Sequence, residues 1–160
     1  MLLDRMASPI GELLLVTDSA GVLRALDFAD CEDRMWRLTK AETTQGAAPV
    51  GVRTALADYF SGDLAALDRI VWDGCGTAFQ RQVWTALVAI APGTTMTYGG
   101  LAAQIGRPTA IRALGAANGA NRVSIVVPCH RLIGADGMLT GYGGGLWRKE
   151  WLLKHENSNV

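Results

Sequence analysis

The residues best suited to chemistry are the consecutive Pro128, Cys129, His130 and Arg131. A thiol and an imidazole stand side by side there, directly after the apolar run 125–127, and Asn121 precedes the thiol by eight positions. Cysteine attacks as its thiolate, so a nucleophilic thiol needs a group that accepts its proton. One of only two histidines in the chain occupies that place. The alternative is that Cys129 is a small buried apolar residue with no reactivity.

Composition limits the class of protein. The 160 residues are 49% hydrophobic, which is enough for one globular domain or two small ones. There is no apolar run of roughly 20 residues and no signal-peptide pattern, so a membrane or secreted location is not expected. The cysteines at positions 31, 75 and 129 are far apart and odd in number, which argues against disulfides and a structural metal site. A reducing cytoplasm is the expected location.

The formal net charge of zero hides an uneven distribution. Residues 1–73 contain 12 acidic and 7 basic residues, whereas residues 74–135 contain no acidic residue and five arginines. Such a segment can approach a polyanion even though the whole chain is not basic. An arginine-rich solvated face is the alternative.

The first half reads as a supporting α/β layer. Apolar runs at 11–17 and 22–28, separated by a turn rich in Asp, Ser and Gly, predict a β-hairpin. Helices are predicted at 34–40 and 54–60, a loop at 43–50, and another strand at 67–72. Residues 73–76 are the expected boundary between two domains, 1–76 and 77–160.

The second half reads as helical. Thr77 is a good N-cap for a helix with Phe79, Val83, Leu87 and Ile90 on one stripe. Thr97 caps a short helix that Gly106 ends, and a further helix follows at 109–119 with Ile111, Leu114 and Ala117 as its apolar stripe. This is the pattern of a helix-turn-helix. The second helix consists mostly of small residues, and Arg112 is expected to project from it.

The chain resembles the methylated-DNA–protein-cysteine methyltransferases, also called O6-alkylguanine-DNA alkyltransferases. The resemblance rests on Tyr98, Arg112, Asn121, the run 128–131, the run 141–144, the run 149–153 and Glu156. It is dense from about residue 77 to residue 156, while residues 1–76 match only in length and strand pattern. The implied fold class is α+β. An N-terminal α/β domain would carry a small antiparallel, ribonuclease-H-like sheet, and the C-terminal domain would be mostly helical, helix-turn-helix and winged-helix-like.

The resemblance implies direct-reversal DNA repair. The alkyl group of O6-alkylguanine, and less readily that of O4-alkylthymine, would move irreversibly to Cys129 after minor-groove binding and base flipping. The implied partner is double-stranded DNA with alkylated bases, with no cofactor, no metal and no membrane. The protein would be a monomer in the cytoplasm, associated with the nucleoid, and cooperativity along DNA stays open.

The resemblance also implies roles for individual residues. Cys129 would accept the alkyl group, with His130 as its proton partner, Glu156 orienting the imidazole and Asn121 bracing the site. The substrate-binding and DNA-binding set would be Tyr98, at the flipped base and its 3′ phosphate, Arg112, as the finger that fills the duplex, Tyr142 and Gly143, in the base pocket, and Lys149, Thr109 and Arg131.

Elementary chemistry favours the same acid–base chain. A thiol, an imidazole and a carboxylate form a triad in which the carboxylate fixes the tautomer of the ring. Because neighbours in an extended chain face opposite ways, we expect a water molecule between the thiol of Cys129 and the ring of His130.

Two positions depart from the family pattern. Arg122 stands where Pro usually follows the bracing Asn, and it would either contact a phosphate or be exposed. Gly143 stands where Ser is frequent, so a pocket hydroxyl is lost. Two other functions remain open: a thiol hydrolase or redox protein using Cys129, and a non-catalytic lesion-binding module.

Overall fold

The computed structural model describes residues 1–157 and divides the chain into two compact units. The first unit is Met1–Cys75 together with Arg122–Val126, and the second is Gly76–Asn121 together with the described residues from Val127 onward. The first unit combines a small sheet with helices and the second unit is mostly helical, so the predicted α+β class is confirmed. Within residues 1–157, no helix combines the length and the apolar character needed to cross a bilayer.

The first unit contains a four-stranded sheet. Strands β1 and β2 pair antiparallel, β2 and β3 pair antiparallel, and the short β4 joins β1 in parallel. The predicted hairpin is therefore confirmed as β2 and β3, and the sheet is antiparallel except at one edge. The strand order is β3-β2-β1-β4. The bounds are β1 Leu2–Met6, β2 Leu13–Thr17, β3 Leu23–Phe28 and β4 Thr44–Gln45.

All five residues of β2 are buried, which explains its unbroken apolar sequence. Leu14 and Val16 point to one face and cluster with Leu3, Ala25 and Met35. Met35 belongs to α1, Glu32–Leu38, so this short helix covers that face. A second helix, α2, spans Val50–Phe60 and buries one side of its surface.

The predicted strand at 67–72 is wrong. Residues Leu64–Arg69 form a 3₁₀ helix, and only Trp72 makes a β-bridge, to Leu23. Leu67, within this helix, and Ile70, directly after it, are both buried. The apolar residues here have helical spacing rather than the period of two that a strand requires.

Residues 122–126 return to the first unit. The backbone of Leu26 in β3 bonds to both Arg122 and Ser124, at 2.9 and 3.0 Å. The guanidinium of Arg122 donates to the carbonyls of Gly74 and Cys75 at 2.6 and 3.0 Å. Arg122, which stands where the family usually has Pro, is therefore half-buried. It serves as a hydrogen-bond donor to the loop where the first unit ends.

The second unit is built on α3, Ala78–Val88. Thr77 and Gln80 form a capping box at its start, which confirms the predicted N-cap. Trp84 is buried in α3 and donates its indole N–H to the carbonyl of Ala117 at 2.9 Å. Gly76 is required beside it, because a Cβ there would lie 2.5 Å from the Trp84 ring.

The predicted helix-turn-helix is present as α4, Tyr98–Gln104, and α5, Ile111–Gly119. Thr97 caps α4 by accepting from the Gly100 N–H at 3.0 Å. The predicted stripe on α5 is wrong at its first position, since Ile111 is 46% exposed while Leu114 and Ala117 are buried. Positions three apart drift by about 60° around a helix, so the stripe of 114, 117 and 118 leaves position 111 outside it.

Two short parallel strands and a last helix complete the second unit. β5 is Met96–Thr97, β6 is Leu132–Ile133, and α6 is Leu146–His155. β5 leads directly into α4, and β6 follows the motif at 128–131. This pairing therefore ties the start of the helix-turn-helix to the segment that carries the candidate thiol.

The capping box gives a test of how the second unit is stabilised. Thr77→Ala should lower the free energy of unfolding by about 1 kcal/mol, because an N–H of the first turn of α3 loses its acceptor. Urea denaturation followed by circular dichroism measures this loss. Thr85→Ala, an exposed position in the same helix, is the matched control and should leave stability unchanged or slightly higher. Equal effects at both positions would contradict a capping role.

Candidate functional site

Two tight turns present the candidate nucleophile. The Val126 N–H bonds to the Ser124 carbonyl at 2.8 Å across Ile125, whose φ is +71°. The Cys129 N–H bonds to the Val127 carbonyl at 2.8 Å across Pro128, whose φ is −82° and ψ +64°. Both are γ-turns, and the one with positive φ is the strained kind. The apolar run 125–127 is thus not an extended strand.

Asn121 braces the second of these turns. Its side-chain N–H donates to the carbonyl of Val127 at 2.8 Å, and the residue is buried. The same carbonyl accepts the backbone N–H of Cys129. Asn121 therefore fixes the Val127 peptide carbonyl, and with it the turn that leads into Cys129. Cys129 itself is 7% exposed.

A buried cluster of three charged or titratable groups lies beside Cys129. Glu156 accepts from the Nε2 of His130 at 2.9 Å and from the Nε and Nη2 of Arg131 at 2.8 and 3.0 Å. Arg131 completes its bonds by donating Nη1 to the Ile90 carbonyl at 2.6 Å. Both carboxylate oxygens are occupied, and His130 and Glu156 are 0% and 1% exposed. This geometry satisfies the cluster almost completely.

Burial and pairing set the charges of this cluster. Burial opposes ionisation of Glu156, but attraction and hydrogen bonds from His130 and Arg131 hold the pKa of this carboxyl well below its usual range. Burial lowers the pKa of His130 below its ordinary value, and the attraction of Glu156 only partly offsets this. The resting pair is a carboxylate and a neutral imidazole. A neutral imidazole can accept a proton, which is what a neighbouring thiol requires.

The tautomer of His130 follows from its partners. Because the carboxylate can only accept, Nε2 carries the hydrogen, and Nδ1 is left as the acceptor. Nδ1 is buried and makes no hydrogen bond within residues 1–157, so there is no direct bond from it to the Cys129 sulfur. The premise that the chain is extended here is wrong, because Cys129–Arg131 is a 3₁₀ turn. The bridging water stays a prediction.

Lys149 is a second buried cation near the thiol. Its ammonium group donates to the Thr140 carbonyl at 3.0 Å, and the residue is 0% exposed. Burial lowers its pKa, and attraction to Cys129 opposes that shift. A positive charge held beside the sulfur favours the thiolate.

The segment 140–145 contacts both Lys149, the buried cation near the thiol, and the start of α4. Thr140 donates its hydroxyl to the phenol oxygen of Tyr98 at 3.3 Å, and its carbonyl is the one that Lys149 holds. Tyr142 is half-buried and Gly143 is exposed. The chain turns at Gly145, whose φ is +97° and whose N–H bonds to the Tyr142 carbonyl at 2.9 Å.

The remaining predicted residues fall into two groups. Thr109 and Arg112 are exposed on the turn and on the start of α5. Arg131, predicted among the DNA-binding and substrate-binding residues, is only 4% exposed, and its guanidinium is committed to Glu156 and Ile90. The side chain of Arg131 therefore belongs to the buried cluster. Arg131 directly follows His130 in the chain, and both side chains contact the carboxylate of Glu156.

Sequence reasoning missed several supporting groups. The Ile90 carbonyl and Thr140 carry no pattern of their own, since backbone carbonyls have no sequence signal. Gly93 has φ +85°, and a Cβ on it would lie 3.0 Å from the Glu156 carbonyl, so glycine lets this loop pass close to the end of α6. The only sequence signal at this point is the Pro92-Gly93 pair, which is typical of a helix end and does not reveal the contact.

These features define a two-unit α+β protein in which a helix-turn-helix adjoins a buried thiol, imidazole and carboxylate. Comparison with known families agrees over nearly the whole chain. Residues 78–158 match the family model described as 6-O-methylguanine DNA methyltransferase, DNA binding domain. Residues 1–71 match the one described as 6-O-methylguanine DNA methyltransferase, ribonuclease-like domain.

Individual relatives match at full length. The methylated-DNA–protein-cysteine methyltransferase of Salmonella typhimurium is 51% identical, over 98% of this chain and 95% of its own. That of Methanosarcina barkeri is 42% identical over 100% and 99%. Among solved structures, Mycobacterium tuberculosis OGT in complex with DNA superposes with a TM-score of 0.85 at 40% identity, covering 98% of this chain and 93% of that one. The chain belongs to the 6-O-methylguanine DNA methyltransferase family, which confirms the resemblance.

The buried cluster predicts how stability depends on pH. The native state resists protonation of His130, whereas the unfolded chain takes up that proton near its ordinary pKa of 6.5. The free energy of unfolding should therefore fall as pH drops below 6.5, with a slope approaching about 1.4 kcal/mol per pH unit. A second loss should begin below pH 4.5, where the unfolded chain protonates Glu156. Urea titrations at a series of pH values measure both.

Two variants assign the first loss. His130→Gln should remove the loss that begins below pH 6.5, while His155→Gln, at the other histidine of the chain, should retain it. An unchanged pH profile in His130→Gln would contradict a neutral buried imidazole.

Proposed function

We propose that Cys129 is the acceptor in a single-turnover repair reaction on O6-alkylguanine in duplex DNA. Membership of the family makes this chain a DNA-repair methyltransferase, and the geometry of the site supports the following assignment of the chemistry to particular atoms. The observation that supports the assignment best is the buried His130, whose Nε2 is held by Glu156 and whose Nδ1 makes no hydrogen bond within residues 1–157.

The transfer balances as one displacement. The sulfur of Cys129 forms a bond to the alkyl carbon while the bond from that carbon to guanine O6 breaks. The thiol proton passes through one water molecule to Nδ1 of His130, and Glu156 stabilises the imidazolium that results. Guanine leaves as an anion and takes a proton from the phenol of Tyr98, and the proton held by His130 returns to the phenolate through solvent. Lys149 supports the sulfur anion before the attack.

The reaction ends with a stable thioether. A thiolate is a poor leaving group from an unactivated alkyl carbon, so the alkyl group stays on the sulfur. Each molecule therefore repairs one lesion. O4-alkylthymine would react by the same displacement, but less readily.

The helix-turn-helix would bring the DNA to this site. The segment 74–135 has no acidic residue, and Arg112 is exposed at the start of a helix of small residues. Such a helix fits the narrow minor groove without a base-specific code. The lesion would then be flipped out, with Arg112 filling the vacated space, Thr109 close to the backbone and Tyr98 turning the 3′ phosphate.

The base pocket would be formed by Tyr142 and the backbone N–H of Gly143, which can donate to guanine O6. Arg131 contributes indirectly, since it holds Glu156 rather than reaching DNA. Asn121 would hold the turn before Cys129 so that the thiol faces this base pocket. We propose that the protein works as a monomer on alkylated duplex DNA in the cytoplasm, without a cofactor.

Mass spectrometry tests the acceptor directly. After incubation with excess duplex containing O6-methylguanine, the peptide that carries Cys129 should gain one methylene mass, once per molecule. Cys129→Ala should bind the duplex and gain nothing, while Cys31→Ala and Cys75→Ala should still be methylated. Methylation at another residue, or repeated turnover by one molecule, would sink the proposal.

The finger role of Arg112 has its own test. Arg112→Ala should slow repair of duplex by about ten- to a hundredfold, because the few kcal/mol spent on flipping are no longer recovered. Reaction with the free alkylated base should be unchanged. Arg69→Ala, an exposed arginine of the first unit, is the control. Equal losses on duplex and free base would remove the finger role.

A further inference from the structure

Ile111 is an unusual residue for its place. It is 46% exposed, next to Arg112, in a helix whose other exposed members, Ala113, Ala116 and Gly119, are small or lack a side chain. Single exposed apolar residues are common on protein surfaces and often have no role. Ile111 differs because its neighbours are the two residues proposed to handle the flipped nucleotide.

The geometry places Ile111 on the side of α5 that faces the start of α4. Its Cδ1 lies 3.7 Å from the position that a Cβ on Gly99 would take. Gly115, one turn further along α5, would have its Cβ 4.0 Å from the Tyr98 ring. Residues 111 and 115 share one face of the helix, so this face of α5 lies against the first two residues of α4, Tyr98 and Gly99. Arg112 projects about 100° further around the helix.

We propose that Ile111 is a second wedge, which acts with Arg112 to keep the lesion out of the base stack. The inference rests on the proposed function, since it needs the helix-turn-helix to enter the minor groove. A flipped base leaves an apolar gap between its former neighbours. Arg112 fills part of that gap with a hydrogen-bonding group, and the branched side chain of Ile111 covers the exposed base face or deoxyribose beside it.

The chemistry of the side chain suits this task. Minor-groove proteins that unstack DNA use Ile, Leu, Phe or Met as wedges, because apolar contact needs no particular base. Exposed apolar surface is unfavourable in the free protein, and it becomes favourable once the DNA covers it. The segment 74–135 is free of acidic residues, so nothing near Ile111 in sequence repels the phosphates. Ile111 is therefore a positioning residue, not a catalytic one.

The experiment compares alkyl transfer to Cys129 on three substrates: a duplex with O6-methylguanine, the same strand without its complement, and a free O6-alkylated guanine. Ile111→Ala should slow the duplex reaction by about tenfold and leave the free-base reaction unchanged, because only the duplex must be unstacked. Ile111→Val should restore most of the duplex rate. Val50→Ala, an exposed apolar residue of the first unit, is the matched control.

Base flipping is measured separately with 2-aminopurine next to the lesion, in the Cys129→Ala background. The fluorescence rise on binding should shrink in Ile111→Ala and return in Ile111→Val. Equal duplex rates for wild type and Ile111→Ala would overturn the wedge, and so would equal losses on all three substrates. If wild-type Cys129 accepted no alkyl group from any substrate, the proposed function itself would fail.

Discussion

The second unit depends on one buried carboxylate. Glu156 lies at the C-terminal end of α6, and burying its charge would be costly without full pairing. Arg131 supplies two hydrogen bonds and His130 a third, so the end of α6 is fixed to the turn at 129–131. Arg131 also reaches the Ile90 carbonyl, just past α3. The same bonds that stabilise the fold leave one nitrogen of His130 as a proton acceptor.

The backbone conformation of the residues before Cys129 is a second constraint on the position of the thiol. A β-branched residue with φ +71° costs on the order of 1–3 kcal/mol, and Ile125 adopts this conformation with its side chain completely buried. The strained turn ends the strand-like contact of 122–124 with β3 and lets the chain turn sharply before Pro128. Asn121 then fixes the Val127 carbonyl. Cys129 is thus positioned by backbone geometry more than by side-chain packing.

Sequence reasoning succeeded where residue type and period agree. The thiol–imidazole motif, the capped α3, the helix-turn-helix and the β-hairpin all have such signals, and each is present. The strand predicted at 67–72 is wrong because most of that segment is a 3₁₀ helix, and the apolar stripe predicted on α5 is wrong at Ile111, which is exposed. The partners of Arg131 and the positive φ of Ile125 could not be predicted, because they depend on carbonyls and dihedral angles brought together only by folding.

The distribution of charged side chains explains how a chain with no net charge can attract DNA. Five arginines of the first unit form ion pairs with nearby acids: Arg5–Glu12, Arg24–Asp18, Arg34–Asp27, Arg53–Asp4 and Arg69–Asp58. In the second half of the chain Arg131 pairs with Glu156, and Arg122 donates to two backbone carbonyls. Arg112 forms no ion pair within residues 1–157 and is exposed. Because segment 74–135 has no acidic residue, the exposed charge of Arg112 makes the start of α5 one place where the chain can attract a polyanion.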